Sequence, residues 1–129
     1  MIDEKSIEGM STPTRSAVAK VTTSREMLDY LLSDPSQEVR ARVMMNPWTH
    51  WATLWACYKS EEPFTKRYLA KNPNLPPQLL ERLAMDEDYI VRAYIAKNDK
   101  TPDNILEKLY HDKNEIVRDE AKARYAAKK

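Results

Sequence analysis

Three tryptophans, Trp48, Trp51 and Trp55, stand at i, i+3 and i+7, a spacing that shares one face if the segment is helical. A cluster of indoles offers a flat apolar anchor to a protein partner, or a stacking platform to a base. Cations follow closely: Lys59, Lys66, Arg67 and Lys71, with Tyr68 among them. The same stretch therefore has the residue types to meet an acidic protein segment or a phosphate backbone. A second constellation pairs opposite charges six residues apart: Asp34 with Arg40, Asp86 with Arg92, and Asp112 with Arg118. A row of guanidinium groups can receive phosphates or carboxylates. Here an Asp travels with each Arg, and both are absent together from residues 60 and 66, which points instead to a structural role.

The remaining reactive residues do not assemble. His50 and His111 lie far apart and lone Cys57 takes the place of an apolar residue, so neither a metal pair nor a nucleophile–base dyad is indicated. The single Gly, Gly9, excludes Gly-rich phosphate loops and nucleophile elbows, whose backbones need φ > 0. One Cys cannot supply a thiolate zinc site or an internal disulfide. No catalytic residue, metal or cofactor is expected, and the chain reads as a non-enzyme. Net charge is +1 over 129 residues, which argues against strong binding to phosphates in general. No apolar run approaches the roughly 18 residues of a membrane span, and the first residues lack a signal-peptide pattern. The expectation is a soluble, cytoplasmic chain.

What must position these side chains is a repeat with a 26-residue step. Leu28, Leu54, Leu80 and Leu106 form one column; Leu31, Cys57, Leu83 and Leu109 form another; Arg40, Lys66, Arg92 and Arg118 form a basic one. Four units follow, at 22–47, 48–73, 74–99 and 100–125, and TRSAVAK at 14–20 resembles VRAYIAK at 91–97, so half a unit precedes them. Each unit reads as two short helices. First helices should begin near residues 23, 49, 75 and 101, with Thr23, Thr49 and Thr101 as N-caps and Glu26 closing a capping box. Second helices should be capped by Ser36, Glu62, Asp88 and Asn114, with Pro63 at the first helical position. They should stop at Asn46, Asn72 and Asn98, which tolerate the left-handed conformation.

Stretches such as NPNLPPQLLERLAMDEDYIVRAYIAKN (72–98) and TPDNILEKLYHDKNEIVRDEAK (101–122) resemble the leucine-rich variant repeat, a relative of HEAT repeats. The resemblance spans about 22–125 and implies a curved helical solenoid that serves as a binding surface, its Asp and Arg residues tying neighbouring units together. Unit two departs most, with Ser60 for Asp, Thr65 for Val and Lys66 for Arg. The fold expected is all-α: a right-handed α-solenoid of four two-helix units plus an N-terminal half-unit over 13–129, preceded by a flexible segment at 1–12.

The repeat also serves as an internal control on the tryptophans. Their columns hold Thr22, Asn74 and Lys100, then Arg25, Pro77 and Asp103, then Asp29, Glu81 and Glu107. Columns that are polar elsewhere face solvent, so the three indoles should form an exposed patch unless residues 1–13 cover it. Tyr68 and Tyr94 share a column with Arg42 and Glu120 and, with Phe64 and Tyr89, should line the solenoid groove. The function expected is a protein–protein interaction module docking on a larger protein through Trp48, Trp51, Trp55, Lys59, Lys66, Arg67, Tyr68 and Lys71. The alternative is an accessory bound to nucleic acid or to a nucleic-acid machine such as a transcription complex.

Overall fold

The computed structural model describes residues 2–128; Met1 and Lys129, the outer ends of the two expected segments, lie outside them. Ten helices and no strand occur among the described residues: α1 (Glu4–Glu8), α2 (Thr12–Val21), α3 (Arg25–Leu31), α4 (Gln37–Met45), α5 (Trp51–Tyr58), α6 (Thr65–Ala70), α7 (Pro77–Leu83), α8 (Tyr89–Lys97), α9 (Asp103–Tyr110) and α10 (Glu115–Ala127). Helices this short are marginal alone, so their stability comes from stacking. The second helices of successive units, α2, α4, α6, α8 and α10, pack directly on one another. The first helices, α3, α5, α7 and α9, pack against their second-helix partners and stand farther from each other. One layer is tight and the other spread, which is a helical solenoid.

Between the layers runs the apolar core, built from the repeated columns. Leu28, Leu54, Leu80 and Leu106 are buried, as are Val43, Leu69, Ile95 and Ala121. The described part of the N-terminal segment, residues 2–12, carries α1. Asp3 caps it through Ser6, and Ile7 is 0% exposed among Ala19, Met27, Leu28 and Leu31. Ile7, with the partly buried Met10 beside the same cluster, seats the segment. It closes the end of the stack that α2 and α3 would otherwise leave open.

The expected cap positions are shifted. The first helices begin at Arg25, Trp51, Pro77 and Asp103, capped by Ser24, His50, Pro76 and Pro102. Ser24 Oγ, rather than Thr23, accepts from Met27 N–H. The buried threonines work backwards: Thr49 donates to Val43 O at 2.6 Å and Thr101 to Ile95 O at 2.5 Å, satisfying the end of the preceding helix. Asp88 and Asn114 cap α8 and α10 through their side chains, whereas Ser36 makes no such bond. Glu62 and Pro63 fall in a turn, and α6 starts only at Thr65 after Phe64. Phe64 has φ 67°, the single left-handed residue among those described.

Asn46 and Asn98 are extended, not left-handed, at φ −76° and −67°. Their side chains explain why. Asn46 Nδ2 donates to Ala19 O and Thr22 O, both at 2.9 Å. Asn72 Nδ2 donates to Met44 O at 2.7 Å and Asn46 O at 2.9 Å, and Asn98 Nδ2 to Asn72 O at 3.0 Å. Each Oδ1 accepts from the amide two residues on, at Trp48, Asn74 and Lys100 (2.8, 2.7 and 2.9 Å). In the last unit Arg124 holds the same column and donates to Asp99 O at 2.8 Å. A buried asparagine ladder thus binds each of the first three units to what precedes it, and Arg124 continues it in the fourth.

A second ladder runs along the turns that join first to second helices. The six-residue pairs meet through backbone, not carboxylate: Arg40, Arg92 and Arg118 donate to the main-chain oxygens of Asp34, Asp86 and Asp112 at 2.6, 2.7 and 2.8 Å. The carboxylates turn to the preceding unit instead. Asp34 receives Arg15 at 2.8 Å, Asp86 receives Lys66 at 3.7 Å, and Asp112 receives Arg92 at 2.8 and 3.1 Å. Where unit two has Ser60, Arg40 reaches Glu62 at 2.6 Å. Burial works to raise the carboxyl pKa values of Asp34 and Asp112, but Arg15 and Arg92, together with the Ser36 and Asn114 amides, outweigh it and hold both below the usual 3.8.

Two consequences can be measured. Asn72→Ala strands two carbonyls and one amide at a site 0% exposed, so it should cost about 3 kcal/mol by urea unfolding, whereas exposed Asn74→Ala should cost under about 1 kcal/mol. Lowered carboxyl values mean that Asp34 and Asp112 contribute stability fully above pH about 4 and lose it as pH falls through the folded-state value. Stability should therefore drop on acidification below that point, and less steeply in Asp112→Asn. An unchanged acid slope in that variant would remove the ladder from the response.

Candidate partner-binding surface

Trp48 belongs to the turn before α5, not to the helix. Its N–H is held by Asn46 Oδ1, so the backbone is fixed while the indole projects outward, 64% exposed. Trp51 opens α5, 62% exposed, and its ring lies 5.2 Å from that of His50, centroid to centroid. His50 serves as the cap of α5, its Nδ1 accepting from Ala52 N–H at 3.2 Å. Trp55 departs from the expected patch: it is half-buried against the core, edge-on to Tyr58 at 5.8 Å, with the Arg82 guanidinium of the next unit over its ring. The Glu81 and Glu107 of its column are exposed; a wide, apolar indole at the same position lies down on the unit boundary. The N-terminal segment packs on unit one, where Tyr30 Oη donates to Glu8 at 2.9 Å. Trp48 and Trp51 are exposed with that segment in place.

The basic residues divide among three places. Lys59 is exposed at the C-terminal end of α5. Lys66 and Arg67 sit in the first turn of α6, where Lys66 pairs with Asp86 and Arg67 with Asp88 at 2.6 Å. Lys66 Nζ also lies over the Tyr58 ring, and the Arg67 guanidinium over Phe64, 4.8 Å from its centroid. The Asp88 carboxylate raises the Arg67 pKa further. Tyr68 is half-buried against the core, and exposed Lys71, at the other end of α6, lies over the Tyr94 ring at 4.8 Å. Of these four cations, Lys66 and Arg67 are paired with carboxylates and Lys59 and Lys71 form no ion pair among the described residues. Exposed Phe64 belongs to the turn before α6, in a strained left-handed backbone.

Burial pushes the Cys57 thiol up to about 11, far from a reactive thiolate. Among the described residues no group of three or more His, Cys, Asp or Glu side chains is placed to hold a metal ion. No helix among them is long and apolar enough to cross a membrane.

A family model described as leucine rich repeat variant matches residues 63–88, which run from the end of unit two through most of unit three. The resemblance read from the repeated columns holds for that segment, and the helical architecture agrees with it. No curated protein and no solved structure gives a significant match.

The exposure difference separates the tryptophans experimentally. Trp48→Lys combined with Trp51→Asp, residues that the same columns carry in unit four, should change unfolding free energy by no more than about 0.5 kcal/mol. Trp55→Glu should cost about 2 kcal/mol, less than a fully buried Trp but outside the surface range. Loss of folding in the double variant would place Trp48 and Trp51 in the core.

Proposed function

We propose that the chain is a non-catalytic, cytoplasmic interaction module that docks on a larger protein through Trp48 and Trp51, with Trp55 and Lys59 at the border of the contact. The observation that carries this reading is two indoles, each more than three-fifths exposed, held on a backbone that is itself hydrogen-bonded into the stack. Exposed tryptophans on a rigid support are suited to binding, because the anchor is ordered before the partner arrives and little entropy is lost on docking. A helical repeat supplies such a support without contributing chemistry of its own. The charge pattern supports a protein partner over nucleic acid: Lys66 and Arg67, the cations nearest Tyr68, are already neutralised by Asp86 and Asp88.

Affinity capture from the native host with the wild-type chain, repeated with the Trp48→Lys/Trp51→Asp variant, tests this. A partner that binds the purified wild-type chain should lose at least about tenfold in affinity to the folded double variant, with only a shallow dependence on salt. Undiminished binding to the variant would move the contact elsewhere. Steep weakening with salt and nuclease-sensitive capture would favour the nucleic-acid alternative.

A further inference from the structure

Cations along the stack differ in whether a carboxylate meets them. Along the turns from first to second helices, Arg15, Arg40, Lys66, Arg67 and Arg92 each have a carboxylate within 4 Å. At the opposite ends of the second helices and in the turns after them, Arg124 pairs with Asp99 and Lys128 with Asp103, whereas Lys20, Arg42, Lys71, Lys97 and Lys100 form no ion pair among the described residues. A cation in the last turn of a helix is favourable to the helix itself, which accounts for Lys20, Arg42 and Lys97. It does not account for Lys100, which lies in a turn, or for Lys71, which reaches across to the neighbouring unit's Tyr94. Between the ends of α6 and α8 these residues border an open groove of about 380 Å³, lined by Lys71, Pro73, Tyr94, Lys97, Asp99 and Lys100 among others. The one carboxylate in it, Asp99, faces Arg124 at 3.8 Å, and Lys100 Nζ donates only to the neutral Asn74 Oδ1 at 2.9 Å.

We propose that this groove, distinct from the Trp48/Trp51 surface, binds an extended acidic segment of a partner protein, its carboxylates meeting Lys71, Lys97 and Lys100 and an apolar side chain resting on Tyr94. Spacing fits that occupant. Packed helices stand about 8–10 Å apart, and a chain in the extended polyproline-II conformation repeats its face every three residues at about 3.1 Å per residue, so side chains three residues apart share a face and meet successive units. Charge complementarity favours carboxylates over a nucleic-acid backbone: the basic row is short, Asp99 lies within it, and the chain's net charge is only +1.

The test is fluorescence anisotropy with the full chain and a labelled peptide of five Asp-Ser-Val triplets, beside a labelled oligothymidylate of equal length. Lys71→Ser/Lys97→Ser/Lys100→Ser is compared with Lys59→Ser/Lys108→Ser/Lys113→Ser, which removes the same charge from exposed lysines elsewhere. Saturable peptide binding should weaken about tenfold in the groove variant and stay within about twofold in the control and in Trp48→Lys/Trp51→Asp. Thermal unfolding followed by circular dichroism establishes that each variant is folded. If the groove triple variant does not fold, Lys97→Ser and Lys100→Ser singly should each weaken binding by about threefold. Absence of saturable peptide binding, equal loss in the two triple variants, unchanged affinity in the single ones, or tighter binding of the oligothymidylate would each overturn the proposal.

Discussion

A buried primary amide fastens each of the first three units of this chain to its predecessor. An asparagine side chain has two N–H donors and one carbonyl acceptor, and at Asn72 all three are used: two carbonyls of the previous unit take the N–H groups, and the amide two residues on fills the oxygen. No other residue type performs this as well. An aspartate would bring a charge into a site with no exposure and no cation, and would offer acceptors where donors are needed. A glutamine would add a methylene to a tightly filled turn. Helices of six to nine residues cannot persist alone, and the apolar columns that drive them together are non-directional. The asparagine bonds supply the direction.

The same amides connect the fold to the surfaces proposed for binding. The residues held by the asparagine oxygens are Trp48, Asn74 and Lys100, one column of the repeat. In unit two that column displays an indole, and in unit four a lysine beside the groove between α6 and α8. The stack can therefore vary the residue at this position freely, since only its backbone N–H is needed for the ladder. The other edge has no such freedom. There Arg40 and Arg92 are engaged twice, by a carbonyl of their own unit and a carboxylate of the next one, so they hold the stack together, whereas Lys71, Lys97 and Lys100 meet no carboxylate among the described residues and are available to a partner.

Much of this was legible in the sequence because the repeat supplies its own comparison. The apolar columns, the two-helix unit and the tie between Asp and Arg columns all follow from aligning the chain with itself. The misreadings share a cause: a residue type was assigned its commonest local role where a contact one unit away decides. Thr49 and Thr101 look like N-caps, yet they are buried and bond backwards. Asn46 and Asn98 at helix ends suggest a left-handed stop, yet the backbone is extended so that the side chain can reach across. Arg40 and Arg92 seek carboxylates 22 and 20 residues away rather than six. Ile7 and Met10, in a mostly polar segment, signalled nothing by periodicity, but the open end of the stack gave Ile7 a place to be buried. At the site, polar columns identified Trp48 and Trp51 as exposed, and failed at Trp55 because an indole can lie flat where a glutamate extends. The groove lysines stood in plain view, but their lack of carboxylate partners is a property of three-dimensional pairing.

Native-state hydrogen exchange at the amides of Trp48, Asn74 and Lys100 tests the central claim most directly. All three belong to exposed turn residues, where an unbonded amide exchanges almost as fast as in an unfolded chain. If the buried asparagines bind the units into one cooperative stack, these amides should exchange at free energies close to those of the core amides of Leu69 and Ile95, opening only with their neighbouring units. Exchange at rates typical of surface loops would show that the turns open independently, and that apolar packing alone holds the solenoid together.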